Sequence, residues 1–240
     1  MNNCKSEENI DLKALLYMRS QFYFILSRAF EKEVDRSFLN QLSENIDIFK
    51  DISQNSEDET FITGVQTLEH FLNSINNDSI DKQIEELACN FAYLFLNVTT
   101  SVLEVKHVYP FGSVYLSKSK LLYQEETENV MKYYIQNKVT LKEDFKEPED
   151  HIAVELSFIA LITHNAIKAL EENNIALAKD KINITKDFME KHVLPWVHKL
   201  CTDIKNAAID DFYRAIADLT IGFIRTDYKS LDTLLALLEE

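Results

Sequence analysis

The stretch Glu147-Pro148-Glu149-Asp150-His151-Ile152-Ala153-Val154-Glu155-Leu156-Ser157-Phe158-Ile159-Ala160-Leu161-Ile162 decides the fold class. From Ile152 to Ala169 the apolar residues do not keep to one stripe. Ile152, Val154, Leu156, Phe158, Ile159, Leu161, Ile162 and Ala166 spread around nearly every side of a helix. A helix apolar all round has to be enclosed by other elements, so it belongs in the middle of a bundle. Pro148 fixes its own φ and lacks an N–H, which suits the first turn of that helix. The spacing therefore predicts a helix opening at Pro148 and running through Ala169.

Outward from this centre the chain supplies amphipathic partners. Leu12, Leu15, Leu16, Phe22, Ile25, Leu26 and Phe30 recur at helical spacing, and after a break at Glu31 to Val34 Asp35 can cap a second helix burying Phe38, Leu39 and Leu42. The polar tract Asp51 to Thr60 reads as a loop. Phe61, Val65, Leu68, Phe71, Leu72 and Ile75 give a further helix, and Asp78 or Ser79 opens the next, toward Phe95. Between Leu96 and Gly112 the helical period fails: Val98-Thr99-Thr100-Ser101-Val102 is small and β-branched, and Tyr109-Pro110-Phe111-Gly112 is turn chemistry. Helix is expected again near Ser113, over Ile175 to His192, after Pro195 and over Asp210 to Arg225, with Ser230 capping a last short one. No internal repeat or low-complexity segment interrupts this order.

Composition agrees. Among 240 residues there are three Gly (64, 112 and 222) and three Pro, too few for a sheet-rich fold with tight hairpins or a phosphate-cradling GxxxxGK[ST] loop. With 46% hydrophobic residues the chain can bury a substantial core. The expected architecture is all-α: a single globular bundle of about ten helices. Its N-terminal lobe spans about 10–136 and its C-terminal lobe about 148–240, hinged near 137–147.

Charge limits the partners. Lys and Arg number 25 against 40 Asp and Glu, a net −15 that repels phosphate backbones and anionic headgroups. No local basic cluster overrides it, so neither nucleic acid nor a membrane surface is an expected partner. Cys4, Cys89 and Cys201 are odd in number, widely spaced and without CxxC, which disfavours a disulfide framework or a cysteine metal site. The polar start Met1 to Asn9 is unlike a secretory signal, and Lys13, Arg19, Gln21 and Arg28 interrupt the apolar Leu12–Phe30 run. No stable membrane insertion is expected, and the cytoplasm is the expected compartment.

Three constellations are candidates for chemistry. If Glu147, Asp150 and His151 stand on a helix at i, i+3 and i+4, with Glu155 one turn further, carboxylates and an imidazole share one face. That face suits a metal-dependent helical-bundle enzyme using Glu147, Asp150, His151 and Glu155. It equally suits an acidic helix start favoured by the macrodipole, with a satisfied histidine. The second is aromatic: Phe91-Ala92-Tyr93-Leu94-Phe95, then Tyr109-Pro110-Phe111-Gly112-Ser113-Val114-Tyr115-Leu116. It is either core or the wall of a peptide groove. In the third, Leu194-Pro195-Trp196 between His192 and His198, the i, i+6 spacing across a proline favours packing of the lone Trp over a shared ion. No GxSxG elbow or cysteine signature for nucleophilic catalysis is present.

Together and in this order, these segments resemble the TorD/DmsD family of redox-enzyme maturation chaperones. The resemblance rests on Phe91, Leu94 and Phe95; on the run from Pro110 to Leu116; on Glu147-Pro148-Glu149-Asp150-His151; and on Leu194-Pro195-Trp196 and Phe212-Tyr213-Arg214-Ala215. It covers about Tyr17 to Arg225. The resemblance implies an all-helical fold and a binding function, with no catalysis, no cofactor and no metal of its own. The implied partner is the twin-arginine leader and apo catalytic subunit of a molybdenum oxidoreductase, held until molybdopterin is inserted. A further alternative within the wider superfamily is an assembly factor for a non-exported nitrate reductase. The positions implied for peptide binding are Phe91, Leu94, Phe95, Tyr109, Pro110, Phe111, Gly112, Tyr115, Glu147, Pro148, Asp150 and His151. Phe91 and Phe111 depart from the family, where Trp is frequent. Guanine-nucleotide binding, suggested for relatives, finds no phosphate loop here. A monomer is expected, with exchange of a domain through Asn137 to Glu147 as the alternative.

The residues give this reading a physical basis. A twin-arginine leader joins a basic segment to an apolar one, so a receptor needs hydrophobic surface beside negative potential. Phe91, Leu94, Phe95, Tyr109 and Phe111 are candidates for the first, and Glu147, Glu149 and Asp150 for the second. Glu147 and Asp150 are expected to engage leader arginines, with His151 orienting a carboxylate or contacting peptide backbone. Gly112 is expected to let the backbone turn sharply beside the groove.

Overall fold

The structure, a computed structural model, describes residues 2–76, 79–96, 107–140 and 147–239, with side chains from residue 12 onward. The expected Val98–Val102 loop and the Asp78 cap lie outside the described residues, as do 141–146 of the expected hinge. In chain order the helices are α1 (Asn2–Glu31), α2 (Arg36–Gln54), α3 (Glu59–Ser74), α4 (Ile80–Phe95) and α5 (Gly112–Leu116). There follow α6 (Glu125–Gln136), α7 (Ile152–Glu171), α8 (Ile175–Phe188), a π-helical turn (Met189–Val193), α9 (Leu194–Ala207) and α10 (Asp211–Leu237). No strand occurs among the described residues, and the fold is all-α.

The central helix is the one the pattern singles out. Residues on every side of α7 are buried, from Ile152 and Leu156 to Ile167 and Leu170. α1 lies along one side of it and α8 along another, while α10 packs along α3 and α9. Helices from both halves of the chain thus enclose one continuous core from Leu12 to Leu238. α7 is long and apolar enough to cross a membrane, but 72% of its apolar window is buried inside the fold.

Local chemistry sets several ends. Asp35 caps α2 by accepting from the Phe38 N–H at 2.8 Å. The polar tract Asp51 to Thr60 is mostly helical rather than a loop: α2 continues to Gln54, and the Asp58 carboxylate caps α3 by accepting from Thr60 and Phe61. Ser230 opens no new helix. Its hydroxyl donates back to the Asp227 carbonyl while Leu231 and Leu234 continue the buried face of α10.

Two glycines make the α3–α10 crossing close. A Cβ on Gly222 would lie 2.6 Å from the Phe61 Cα, and one on Gly64 would lie 2.7 Å from the Leu219 backbone nitrogen. Elsewhere in the core a buried polar knot joins α1, α7, α10 and the π-turn. Arg19 Nε meets Asp227 Oδ1 at 2.5 Å, its guanidinium also donates to Thr163, and Tyr23 donates to Asp227 Oδ2 at 2.6 Å. Met189 Sδ sits 3.8 Å from both Arg19 and Tyr23. Desolvation works against the Arg19 charge, but Asp227 and Tyr23 together outweigh it and hold the guanidinium proton more firmly; burial raises the Tyr23 phenol.

Candidate functional site

The Glu147–His151 segment is not the first turn of α7. That helix begins at Ile152, and Pro148 lies in the turn before it. The reason is long-range. The Ile152 N–H donates to the Pro110 carbonyl at 2.8 Å and the Gly112 N–H to the Asp150 carbonyl at 3.0 Å. Phe111 and His151 thereby form an isolated antiparallel bridge, which holds the backbone extended where a helix would need it coiled. Glu147, Asp150 and His151 therefore do not share a helix face with Glu155.

What these residues do is join two distant segments. The Asp150 carboxylate accepts from the Ser113 backbone N–H at 2.6 Å and from the Thr127 hydroxyl at 2.9 Å, tying α5 and α6 to the mouth of α7. His151 is the N-cap of α7: its Nδ1 accepts from the Ala153 N–H at 3.0 Å, which leaves the ring proton on Nε2. Its ring meets that of Phe111 edge-on, 5.1 Å between centroids. Burial pushes the imidazole down to about 3, so it is neutral. Tyr134 donates to the Glu149 carbonyl at 3.0 Å and closes the turn from the α6 side.

Beneath this junction lie Gly112, Glu155 and the one Trp. Gly112 has no positive φ, so the entry into α5 does not draw on a glycine's conformational freedom; the space around it does call for one. A Cβ there would stand 3.2 Å from Trp196 Nε1 and 3.6 Å from Glu155 Oε1. Burial and the Asp150 charge hold the Glu155 carboxyl well above the ordinary carboxylate range. Trp196, in the first turn of α9, stacks on Tyr115 at 5.5 Å, and the Tyr115 hydroxyl donates to Asp203 at 3.2 Å. The lone Trp is thus a packing residue. His192 and His198 face different clefts and share no site.

Burial sorts the predicted residues. Phe91, Leu94 and Phe95 are core: Phe95 meets Phe30 and Tyr213 at 6.0 and 5.9 Å, and Phe91 stands 5.1 Å from Phe95. Pro110, Phe111, Gly112, Pro148, Asp150 and His151 are also buried. Tyr109 and Glu147 are exposed and Tyr115 half-buried. Tyr109 and Tyr115, but not Glu147, open on a cleft of about 860 Å³. Tyr109, Val114, Tyr115, Leu121 and Leu122 line one wall, and His198, Lys199, Thr202 and Asp203 of α9 the other.

Sequence reasoning missed Leu121 and Leu122, although two leucines and Tyr123 in an otherwise polar connection were a visible signal. All three are exposed in the structure. It also missed the acidic first turn of α6, Glu125, Glu126 and Glu128, which Thr127 anchors against Asp150. Among the described residues no group of three His, Cys, Asp or Glu is arranged to hold a metal ion. Burial lifts the Cys201 thiol to about 12, far from a reactive thiolate.

Comparisons with known proteins agree on one family. The nitrate reductase delta subunit family model matches residues 54–202. The chain is 27% identical to the chaperone protein TorD of Vibrio atlanticus, over 92% of this chain and 98% of that one. It is 29% identical to TorD of Vibrio parahaemolyticus, over 90% and 96% of the two chains. With TorD of Shewanella piezotolerans the identity is 28%, over 89% and 92%. The chain belongs to the nitrate reductase delta subunit family and is of its TorD type, as the order of its motifs implied.

Proposed function

We propose that this protein is a dedicated maturation chaperone for a redox enzyme, binding the twin-arginine leader and apo form of a molybdopterin-containing oxidoreductase before export. The observation that carries this is likeness to relatives named TorD chaperones along nine-tenths of the chain. By that likeness the chain is a chaperone and not an enzyme, and the cytoplasm is where such a leader is met.

Two surface features support this reading. Tyr109, Tyr115, Leu121 and Leu122 offer an apolar wall for the leader's hydrophobic run. Glu147 and the α6 acids Glu125 and Glu128 are exposed on either side of the Asp150 anchor, where leader arginines find carboxylates. Asp150 and His151 are positioning residues: they hold Ser113, Thr127 and the start of α7 so that wall and acids stand together. Of the α4 residues, Leu94 ties to the segment entering Tyr109, its carbonyl accepting from the Val108 N–H at 3.2 Å, while Phe91 and Phe95 pack in the core.

The metal-enzyme alternative loses support at three of its four residues. Both Asp150 oxygens are engaged, His151 Nδ1 is a cap, and burial shifts the Glu155 carboxyl toward its neutral form. The assembly-factor reading keeps one support, the description of the matching family model. Calorimetric titration with a leader peptide tests the proposal: Leu121→Asp with Leu122→Asp, both exposed, should abolish binding without unfolding the chain. Unchanged affinity overturns the cleft. Asp150→Asn with His151→Ala should also weaken binding. A pull-down from native cytoplasm identifies the client and whether it carries a leader, separating the two chaperone readings.

A further inference from the structure

The connection from α5 to α6, Ser117 to Gln124, supplies part of one wall of the cleft and is held differently from the other wall. Lys120 and Tyr123 hold φ at 53° and 56°. In that left-handed region a Cβ crowds the backbone, so glycine enters it readily while a lysine and a bulky tyrosine are strained. Between them stand Leu121 and Leu122, 61% and 36% exposed, beside Tyr123 at 69%. The hydrogen bonds of the connection are largely its own. The Ser117 and Ser119 hydroxyls meet at 3.2 Å and the Lys120 N–H donates to Ser117 Oγ at 3.0 Å. The Ser119 hydroxyl donates to Gln124 Oε1 at 2.9 Å, and the Gln124 amide to the Leu122 carbonyl at 2.8 Å. Among the described residues no hydrogen bond of Ser117 to Gln124 reaches α7 or α9. The opposite wall is fixed by contrast: α9 buries Trp196, Val197, Leu200, Cys201 and Ile204 in the core.

From this asymmetry we infer that Ser117 to Gln124 is a strap that closes over the apolar run of a peptide in the cleft, turning at Lys120 and Tyr123 and laying Leu121 and Leu122 on the peptide. The inference rests on the leader-binding reading and adds to it a wall that moves. Closure takes apolar side chains out of water and relaxes strained backbone, and few hydrogen bonds hold it back. A ligand shifts such an equilibrium only through contacts made in the closed state, and a peptide without an apolar run offers the leucines nothing to cover. The strap therefore reads hydrophobicity after the peptide has arrived, and its contribution lies in slowing release.

Hydrogen exchange and dissociation kinetics test it, with a synthetic peptide of two arginines and about 10 apolar residues as the probe and calorimetry to establish occupancy. In the saturated complex the backbone amides of the connection should exchange roughly tenfold more slowly than in the free protein. Glycine holds a positive φ without a Cβ to crowd, so Lys120→Gly/Tyr123→Gly keeps the open form and removes its strain. From this variant the peptide should dissociate roughly fivefold faster. Lys118→Gly, at a position where φ is not positive, frees the same connection without relieving strain and should leave dissociation unchanged. Unaltered exchange in a saturated complex overturns the strap and leaves leader binding standing. Dissociation that is equal for the double-glycine variant and the unaltered protein, or equally fast for Lys118→Gly, overturns the turning points and with them the inference. Failure of the peptide to bind overturns the strap and the leader reading together.

Discussion

Asp150 holds the backbone of Ser113, 37 residues away, through a buried hydrogen bond of 2.6 Å. With its other oxygen on Thr127, one carboxylate joins the start of α5, the first turn of α6 and the entry to α7. The chemistry suits an acid: it can accept from a backbone N–H and a hydroxyl at once and needs no donor of its own.

Asp150→Ala should therefore destabilise more than its size suggests, because it leaves the Ser113 N–H and the Thr127 hydroxyl buried without an acceptor. We expect a loss of about 2–4 kcal/mol in urea unfolding, from two bonds at about 1–3 kcal/mol each with partial relaxation. Asp150→Asn keeps an acceptor for Ser113 and should lose about half as much. Equal losses for the two variants would contradict the anchoring role.

The α3–α10 crossing should be intolerant of a methyl group. Gly222→Ala places a carbon 2.5 Å from the Phe61 backbone nitrogen, which cannot yield without separating the helices. A destabilisation of about 3 kcal/mol is expected, lowering Tm by roughly 6–12 °C for a chain of this size. Gly112→Ala meets a ring edge at 3.2 Å rather than backbone and should cost less. Calorimetric melting of both variants decides the order.

The Arg19–Asp227 pair joins residues 208 apart in sequence, and neither can be removed alone without stranding the other's charge. Arg19→Ala should cost about 3–5 kcal/mol, whereas the double change Arg19→Met with Asp227→Leu should recover most of that. A double-mutant cycle in denaturant measures the coupling. Strictly additive effects would show that the pair acts as two independent groups.

Two groups at the motif tilt stability in opposite directions with pH. Burial lowers His151 from 6.5 to about 3, so between these values the unfolded chain binds a proton that the folded chain refuses, and stability is lost as pH falls below 6.5. Glu155 is raised from 4.5, so the folded chain keeps a proton that the unfolded chain releases, and stability is lost as pH rises above 4.5. Each slope reaches about 1.4 kcal/mol per pH unit, and from these two groups a plateau is expected between 4.5 and 6.5. Glu155→Gln should flatten the alkaline side and His151→Asn, which keeps an N-cap acceptor, the acid side. Urea unfolding across pH 3.5 to 9 checks both.

Much of the fold was legible in the residues. The apolar surround of Ile152 to Ala169 marked the central helix, and Asp35 marked the start of α2, because periodicity and capping act over a few residues along the chain. The shortage of glycine pointed away from a sheet-based fold for a similar reason: it is a sum over composition. The motif order named the family before any geometry was known.

The placement of Glu147 to His151 was not legible, because its helix-start chemistry is overruled by partners the local sequence does not contain. The Pro110 carbonyl, the Ser113 N–H and Thr127 hold that segment extended, and burial then turns Asp150 and His151 from surface groups into anchors. The aromatic stripe at Phe91 to Phe95 and the pair Leu121–Leu122 are equally apolar on paper. One became core and the other the wall of a cleft, since which side of an apolar group meets water is settled by the helices that pack on it, not by the group.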